Sequence, residues 1–532
     1  MTAARAAQLL GHRGWLVVVA ALALALRLPH LSDRSIWYDE ASSWQMSHYA
    51  WPELWRSVLL NVHQPLYYML LKGWMTVFGD SAAAIRGMSV FFGLITVVLM
   101  GLFGRELYLA SAARREGSVG GEEDPEARVF GLFVAMLVAL SPVQVFASIE
   151  ARMYSMGTAF AALGAWLLLR LLRSGGGPGW WAAYGVSLVG LLYSHHYGLF
   201  SVAAHAVFVG LCVLWLFGAG ESEAAKRLAV SFGVVGVLAA LAYLPALNIL
   251  RAQSQRVLQD YWIQPLSWST FSTTFSQFVI PDHDDIPRSG GWVVLAVVIG
   301  SAAILMVDAR RGEWLDMAFS FLPMIGSACA SAITTVWVGR YFRFTQLFVL
   351  AMVALATWRI ARPWPKVLTT AVACLAAGLL FANGSFWDRL DIPHNPGMRG
   401  AVASILRQIQ PGESIVATDI IQYATAKFYV REQAPIHLLE PSKGLFWGWH
   451  LIQPADLISL DEFSRERAGG VWLIGTVPVP VIAPDWDWGD QSPVRTGHFT
   501  YYLNLHRDIY IFHHKSRADD LSRSTVAGSR ED

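Results

Sequence analysis

Residues 228–250 read LAVSFGVVGVLAALAYLPALNIL, a run of 23 positions without a charged side chain that lies between Lys226-Arg227 and Arg251. A helix of roughly 17–25 apolar residues crosses the hydrocarbon core of a bilayer. This run therefore predicts a membrane-spanning helix. The charged residues on both sides of it mark the two ends of the predicted span.

The same pattern recurs along the chain. Comparable uncharged runs occupy 87–104, 129–149, 153–169, 289–307, 317–339 and 367–387. The run 174–220 is long enough for two helices that fold back near Tyr193–Tyr197. The shorter runs 14–26 and 344–358 span if Arg27 and Arg359 snorkel to the interface. The sequence thus predicts an all-α polytopic membrane protein with about eleven transmembrane helices.

The composition excludes several classes of protein. Only 15% of the 532 residues are charged and 55% are hydrophobic, whereas soluble globular proteins carry roughly 25% charged residues. An aromatic content of 13% excludes intrinsic disorder. The net charge of +1 gives no field that would attract a nucleic acid. The three cysteines all lie in apolar runs, so we expect neither a disulfide framework nor a cysteine zinc site.

Lysine and arginine are distributed unevenly between the connections, and this asymmetry predicts the orientation. We expect the N-terminus and the short basic connections to be cytoplasmic; these connections contain Arg105, Arg114, Arg115, Arg128, Arg170, Arg173, Lys226, Arg227, Arg310, Arg311, Arg359, Arg362 and Lys366. The outer loops 32–80 and 247–290 and the chain after residue 385 are then extracytoplasmic. Ala23-Leu-Ala25 also fits a signal-peptidase site, although we expect the first helix to remain uncleaved.

The composition changes near residue 385, because the segment 385–532 holds 32 of the 79 charged residues. Short strands are predicted at 415–418, 436–439 and 471–474, and helices at 421–430 and 455–467 with Ser459 and Glu462 as a capping box. We therefore predict a membrane domain over 1–384, a small extracytoplasmic α/β domain over 385–520 and a disordered tail over 521–532. The Gly- and Glu-rich segment 117–126 is interpreted as a flexible connection, and no internal repeat is visible.

Two adjacent carboxylates follow the first predicted span, in the sequence Ser35-Ile-Trp-Tyr-Asp-Glu-Ala-Ser-Ser-Trp44. One interpretation is an interfacial aromatic belt with two solvated acids. The functional interpretation assigns Asp39 as a general base and Glu40 as a second acid that orients an acceptor or a cation.

Further polar residues interrupt the apolar runs at the predicted outer face. His63 lies in Asn61-Val-His-Gln-Pro-Leu-Tyr-Tyr68, which resembles an interfacial or re-entrant helix more than a span. An ionisable group placed at the end of a membrane span costs free energy, so such groups are usually paired or functional. The connection between two predicted spans contains Glu150, Arg152 and Tyr154. The alternative for Glu150 and Arg152 is an ion pair that holds two helix ends. His195-His196 allows the same two interpretations, since two histidines alone are a weak metal signal.

Arg340 and Arg343 form an anomaly, because they lie in a short outer connection that contains no acidic residue. Guanidinium groups suit phosphate oxygens, which makes these arginines candidate phosphate ligands. The alternative is contact with lipid headgroups. The segment Asp282-His-Asp-Asp285 in the second outer loop has oxygen ligands for a divalent cation, although such a segment is more often a solvated loop.

Taken in order, these motifs resemble the bacterial family 39 glycosyltransferases, which have the GT-C fold and are similar to protein O-mannosyltransferases and to the aminoarabinose transferase of lipid A. The resemblance covers residues 10–360 and includes the Asp39-Glu40 loop, the His63 segment, Glu150–Tyr154, Tyr193–Tyr197, Tyr261–Pro265 and Gly339–Tyr341. Gln64 departs from it, since the family often has a second proline there.

The resemblance implies transfer of a hexosyl or pentosyl group from a polyprenyl-phosphate donor to a hydroxyl of a lipid, glycan or protein acceptor. It places the enzyme in the bacterial inner membrane, among membrane lipids, with catalysis on the extracytoplasmic face. Asp39 and Glu40 would be catalytic, and the substrate-binding residues would be His63, Glu150, Arg152, Tyr154, His195, His196, Arg340 and Arg343. A divalent cation is left open as a cofactor, with Glu40 and His63 as its candidate ligands.

A transporter or flippase of lipid-linked sugars is the alternative function, although the absence of a repeat argues against it. A non-catalytic assembly factor would leave the Asp39-Glu40 loop unexplained.

Overall fold

The structure is a computed structural model that describes residues 3–112, 124–257, 263–281, 288–394, 396–440, 449–466, 470–475, 494–500 and 506–514. The chain divides into two compact units. The helical unit comprises Met1–Leu31, Val62–Phe78 and Ala84–Arg389. The sheet unit comprises Ser32–Asn61, Gly79–Ala83 and Leu390–Asp532. The expectations for Asp282–Asp285, for most of 117–126 and for the tail 521–532 concern residues outside the described part.

Helices dominate the described residues. In chain order they are α1 (Ala3–Arg27), α2 (Tyr38–His48), α3 (Trp51–Leu60), α4 (Leu66–Phe78), α5 (Ala82–Ala112), α6 (Pro125–Leu140), α7 (Pro142–Ile149), α8 (Tyr154–Ser174), α9 (Pro178–Ser194), α10 (Gly198–Gly218), α11 (Ser222–Val257), α12 (Trp268–Ser276), α13 (Arg288–Met306), α14 (Arg311–Ser331), α15 (Arg343–Ala361), α16 (Pro365–Leu390), α17 (Gly397–Leu406), α18 (Ile420–Val430) and α19 (Leu460–Glu466). A 3₁₀ turn, Gly339–Phe342, precedes α15.

Seven of the described helices are long and apolar enough to cross a membrane, and the bent pair α6–α7 is an eighth if it counts as one span. Helix α1 is apolar over a shorter length, α9 has 17 residues, and α14 carries Glu313 and Asp316. Helix α11 exposes a row of apolar side chains that includes Val230, Val234 and Leu241, as a lipid-facing helix does. The chain is therefore a multi-pass membrane protein, while the total of eleven spans stays a prediction.

The predicted span 129–149 is not a single straight helix, because α6 and α7 meet at 60°. Pro142 has no amide hydrogen and disfavours a helical backbone at the preceding residue, and Ser141 accordingly has φ −63° and ψ 119°. Carbonyl groups freed at the break accept hydrogen bonds from other helices. The Arg27 guanidinium donates to the Ala139 carbonyl at 3.0 Å and the Asn383 amide donates to the Leu140 carbonyl at 2.6 Å.

The two arginines expected to snorkel are instead used inside the helical unit. Arg27 is fully buried and also donates to Ser148 at 3.2 Å. Arg359 donates to the carbonyls of Ile304 and Leu305 at the end of α13, at 3.0 and 2.9 Å. The broken α6–α7 pair thus provides Arg27 with hydrogen-bond acceptors that lipid tails do not have.

Helices α8 and α15 approach closely beside the residues singled out by the sequence. A Cβ atom on Gly157 would collide with the ring of Phe344, so only glycine fits at this crossing. This contact places the first turn of α8, which carries Tyr154, next to the first turn of α15, which carries Arg343.

The sheet unit contains a six-stranded sheet in the order β3-β2-β1-β4-β6-β5. Its strands are β1 (Ser414–Ala417), β2 (Ile436–Leu439), β3 (Leu457–Ile458), β4 (Val471–Gly475), β5 (Val494–Thr500) and β6 (His506–His514). Strands β1 to β4 pair in parallel, and β6 pairs antiparallel with β4 and β5. The three strands expected from the sequence are therefore confirmed as parts of a small C-terminal sheet.

The helix expected over 455–467 is shorter in the structure. Leu457 and Ile458 form the edge strand β3, paired with Leu438 and Leu439, so α19 begins only at Leu460. The capping box is present, because the Glu462 amide donates to the Ser459 hydroxyl at 3.2 Å and the Ser459 amide donates to the Glu462 carboxylate at 2.9 Å. The box marks the true start of the helix, and the sequence pattern overestimated its length.

The segment Ser32–Asn61 packs inside the sheet unit. Helix α2 lies against α18, where the rings of Trp44 and Phe428 are 5.1 Å apart. The Ile36 amide donates to the Tyr429 hydroxyl at 2.6 Å. The Gln45 side chain donates to the Leu451 carbonyl at 2.5 Å. The helix that carries Asp39 and Glu40 is thus part of the same compact unit as residues 390–532.

Candidate active site

A buried ion pair joins the end of α7 to the start of α15. Arg343 Nη1 donates to Glu150 Oε2 at 2.8 Å, and both side chains are 2% exposed. The Arg343 guanidinium also lies 4.5 Å from the ring centre of Tyr154 and 5.0 Å from that of Phe146. The structure therefore brings together Glu150, Tyr154 and Arg343. Glu150 pairs with a residue 193 positions away, a partner that the sequence did not indicate.

Arg152 is buried among residues of α4 and α5. Its Nη1 atom donates to the Tyr68 hydroxyl at 3.5 Å, and its carbonyl accepts from the Ser89 hydroxyl at 3.2 Å. The Ser89 hydroxyl in turn lies 3.2 Å from that of Tyr67. Tyr68 thus contacts the Arg152 side chain directly, and Tyr67 is connected to the Arg152 carbonyl through Ser89.

His63 and His195 face each other, with ring centres 6.1 Å apart. The His195 ring also packs against Tyr154 and Tyr341, at 5.9 and 4.6 Å. Burial, and then the positive charge of nearby Arg152, lowers the pKa of His63. Burial, His196 and Arg152 lower the pKa of His195. These shifts favour the neutral rings, each of which offers one hydrogen-bond donor and one acceptor.

The His195 Nε2 atom and the Tyr154 hydroxyl are buried polar atoms without a hydrogen-bond partner among the described residues. A buried polar atom that lacks a partner costs free energy, and such atoms cluster at functional sites. These two atoms belong to neighbouring rings, so a hydroxylated ligand could satisfy both.

His196 is the centre of a hydrogen-bond chain that sequence reasoning missed. Its Nε2 atom lies 2.6 Å from Gln253 Oε1, an acceptor, so Nε2 carries the proton. Its Nδ1 atom then accepts from Gln64 Nε2 at 3.1 Å, which also donates to the Tyr243 hydroxyl at 3.0 Å. Gln253 Nε2 donates to the His63 carbonyl at 3.0 Å. Gln64 was noticed only as a departure from the family, and Gln253 carries no local signal.

A pocket opens beside Arg340 and Arg343. It is partly open to solvent and is lined by Val143, Gln277, Phe278, Pro281, Gly339, Arg340 and Arg343. A Cβ atom on Gly339 would collide with the end of the Gln277 side chain, which would then have to move. Two guanidinium groups on one wall favour an anion.

Asp39 and Glu40 lie in the first turn of α2, in the sheet unit. Glu40 is fully buried, and its Oε1 and Oε2 atoms accept from Arg34 at 3.2 Å and from the Trp37 amide at 3.4 Å. These contacts fix the start of the helix. Asp39 is half-buried, and its carbonyl accepts from the Ser43 hydroxyl at 2.9 Å. The amino-terminal end of a helix favours carboxylate charge at both positions.

The described residues do not form an evident metal site. No group of three or more His, Cys, Asp and Glu side chains in the described part of the chain could hold a metal ion. The two carboxylate oxygens of Glu40 accept hydrogen bonds from Arg34 and from the Trp37 amide.

Part of the chain matches a known protein family. Residues 62–217 match the family model described as Protein O-mannosyl-transferase TMEM260 N-terminal domain. This match contains all the substrate-binding candidates of the helical unit except Arg340 and Arg343. Comparison of the chain with curated protein sequences gives no significant match.

Solved structures resemble the whole chain. ArnT from Cupriavidus metallidurans bound to undecaprenyl phosphate has a TM-score of 0.61 at 13% identity, over 94% of this chain and 98% of that chain. The Archaeoglobus fulgidus oligosaccharyltransferase in complex with Zn and sulfate has a TM-score of 0.51 at 12% identity, over 87% of this chain and 67% of that chain. The oligosaccharyltransferase AglB from the same organism, in complex with an inhibitory peptide and a dolichol-phosphate, has a TM-score of 0.50 at 10% identity, over 88% and 70%. The chain therefore has the fold of the GT-C membrane glycosyltransferases.

Proposed function

We propose that the chain is a membrane glycosyltransferase that moves a sugar from a polyprenyl-phosphate donor to an acceptor hydroxyl on the extracytoplasmic face. The observation that carries this proposal is the pocket whose wall includes the guanidinium groups of Arg340 and Arg343. The GT-C fold supports it, and so do the lipid phosphates named for ArnT and AglB.

The proposed donor site is in the helical unit. The leaving polyprenyl phosphate is stable as an anion, so the reaction needs positive charge at the phosphate rather than a strong general acid. Arg340 supplies that charge, and Glu150 holds Arg343 at the pocket wall. Arg152, Tyr154, His195 and the chain centred on His196 would bind the sugar, through the buried polar atoms described above.

The proposed base is Asp39. Its carboxylate takes the proton of the acceptor hydroxyl while the acceptor oxygen bonds to the anomeric carbon and the bond from that carbon to the phosphate oxygen breaks. A single direct displacement inverts the configuration of the anomeric carbon, as it does in inverting glycosidases. Glu40 fixes the turn from which Asp39 projects, and His63, held through its carbonyl by Gln253, would orient the acceptor.

The proposed location rests on the distribution of basic residues. Short connections rich in arginine are cytoplasmic in membrane proteins. This rule puts the N-terminus in the cytoplasm of a bacterial cell and residues 385–532 outside the inner membrane. A cytoplasm-dependent reporter fused after residue 532 is expected to be silent, and a strong signal would reverse the proposed orientation.

The test of activity uses purified full-length protein with a panel of polyprenyl-phosphate sugars and measures the release of polyprenyl phosphate together with the glycosylated acceptor. Asp39→Asn should lower turnover by a factor of roughly 10² to 10⁴. Glu53→Gln, an exposed acid in the neighbouring α3, is the matched control and should turn over normally. Movement of intact donor across vesicles without release of polyprenyl phosphate would favour a transporter instead.

Arg340→Lys separates phosphate recognition from headgroup contact. Lysine keeps the charge but loses the bidentate fork, so turnover at saturating donor should fall more than donor affinity. Arg251→Lys, at an exposed position of α11, is the control. Unchanged turnover in Arg340→Lys would show that Arg340 does not bind the donor phosphate as proposed.

A further inference from the structure

One guanidinium group in the sheet unit joins three segments of the chain. Arg431, directly after α18, donates through Nη1 to both carboxylate oxygens of Asp80 at 2.8 Å and through Nη2 to the Asp80 carbonyl at 3.1 Å. Asp80 belongs to the short segment Gly79–Ala83 of the same unit. Because Nη1 contacts the carboxylate and Nη2 contacts the backbone carbonyl of the same residue, the position and orientation of Asp80 relative to the guanidinium are both fixed.

Asp80 carries the connection onward to α2. Its Oδ2 atom accepts from the Trp44 indole at 3.4 Å and lies 3.2 Å from His48 Nε2. The Arg431 guanidinium also lies 5.6 Å from the Trp44 ring and 5.3 Å from the Phe428 ring. Helix α2 is thus held by hydrogen bonds and by ring contacts to one arginine. We call the contacts of Arg431, Asp80, Trp44 and His48 the α2 clamp.

Asp80 also contacts the histidine of the α2 clamp. His48 Nδ1 lies 2.9 Å from the Trp44 carbonyl, and its Nε2 lies 3.2 Å from Asp80 Oδ2. Burial raises the pKa of Asp80, but hydrogen bonds from Arg431 and Trp44 outweigh this effect and the pKa is lowered overall. Asp80 is therefore a carboxylate that joins α2 to Arg431.

The backbone of Arg431 adds a second observation. Its φ is 50° and its ψ is −121°, at the carboxyl-terminal end of α18. Glycine adopts positive φ there without a steric penalty, whereas arginine is strained. Strain of this kind persists where the surrounding structure or the function requires the side chain. The backbone alone would favour glycine at this position, so the guanidinium is the feature that requires arginine.

We propose that Arg431 and Asp80 are positioning residues for the proposed base, because the α2 clamp sets the axial position and the rotation of α2. This inference rests on the proposed function of Asp39. Trp44 lies five residues after Asp39, or roughly 7.5 Å along the helix. The Ser43 hydroxyl, next to Trp44, donates to the Asp39 carbonyl. A rigid helix transmits a shift at Trp44 to the first turn, and small misplacements of a reacting group are costly in rate.

The experiment uses the full-length protein with Arg431→Gly and Arg431→Lys. Glycine removes the clamp and relieves the strained backbone together, so the variant should fold and insert as well as wild type. Turnover should nevertheless fall by about tenfold or more with the KM for donor unchanged, because the donor site is untouched. Lysine restores the charge but has a single nitrogen, which cannot contact both the carboxylate and the carbonyl of Asp80 as the guanidinium does, so it should recover part of the turnover.

Arg407→Gly is the matched control, since Arg407 is an exposed arginine at the carboxyl-terminal end of α17 in the same unit. A second readout is amide hydrogen exchange, which should accelerate in α2 of Arg431→Gly and stay unchanged in β1 and β4. Wild-type turnover or unchanged α2 exchange in Arg431→Gly would overturn the positioning role. Wild-type protein without any transferase activity would instead overturn the proposed function, so the two failures are distinguishable.

Discussion

Glu150→Gln provides a direct test of the buried ion pair at the candidate donor site. The substitution keeps the size of the side chain and removes its charge, which leaves the Arg343 guanidinium buried at 2% exposure opposite a neutral amide. Removal of one partner of a buried pair costs about 3–5 kcal/mol, because the remaining charge is not compensated. The rings of Tyr154 and Phe146 lie over the guanidinium and offset part of this cost, by about 0.5–2 kcal/mol for a cation–π contact. We therefore expect a loss of about 1–4.5 kcal/mol in the free energy of unfolding.

The assay is reversible unfolding of the full-length protein in mixed micelles, with Arg343→Met and the double variant completing a double-mutant cycle. Arg343→Met alone leaves the Glu150 carboxylate buried, whereas the double variant removes both charges and should lose less than the sum of the single variants. Additive losses would show that the two side chains do not interact energetically and would refute the reasoning. A loss below about 1 kcal/mol for Glu150→Gln would place the pair in a solvated environment.

Three further substitutions test packing in the helical unit and hydrogen bonding in the sheet unit. Gly157→Ala should destabilise the helical unit by about 1–3 kcal/mol through overpacking against the Phe344 ring. Adding Phe344→Leu to this variant should relieve the clash. Wild-type stability in the alanine variant would contradict the close crossing of α8 and α15. Glu413 accepts from Trp472 at 2.9 Å and from His513 at 2.8 Å; burial raises its pKa, but its hydrogen bonds lower it overall. Its contribution to stability is therefore complete above the ordinary pKa of 4.5 and is lost as the pH falls through the lower folded value. In the wild-type protein, the sheet amides should lose protection against hydrogen exchange in that acidic range, after correction for intrinsic exchange rates. In Glu413→Gln, the same amides should be less protected at neutral pH and should change less on acidification. An identical pH profile of protection in both proteins would exclude this role of Glu413.

The sequence by itself determined the class of the protein and the position of most helices. Uncharged runs of bilayer length depend only on local composition, so they are visible in the printed chain. The same is true of strands β1, β2 and β4, which are short apolar segments bounded by turn residues, and of the capping box at Ser459, which spans four residues. The polar residues of the candidate site were also visible, because ionisable groups beside apolar runs are conspicuous.

Only the tertiary structure decided how those residues are paired. Glu150 contacts Arg343, His196 contacts Gln253, and Arg27 donates to the broken span at Ala139. Strand β5 and the partners of α2 also depend on segments that are distant in sequence. Hydropathy and spacing describe a residue and its near neighbours along the chain, whereas an ion pair or a buried amide depends on which helices cross and at what distance. The physical requirement that buried polar groups find partners is general, but the choice of partner is made by packing.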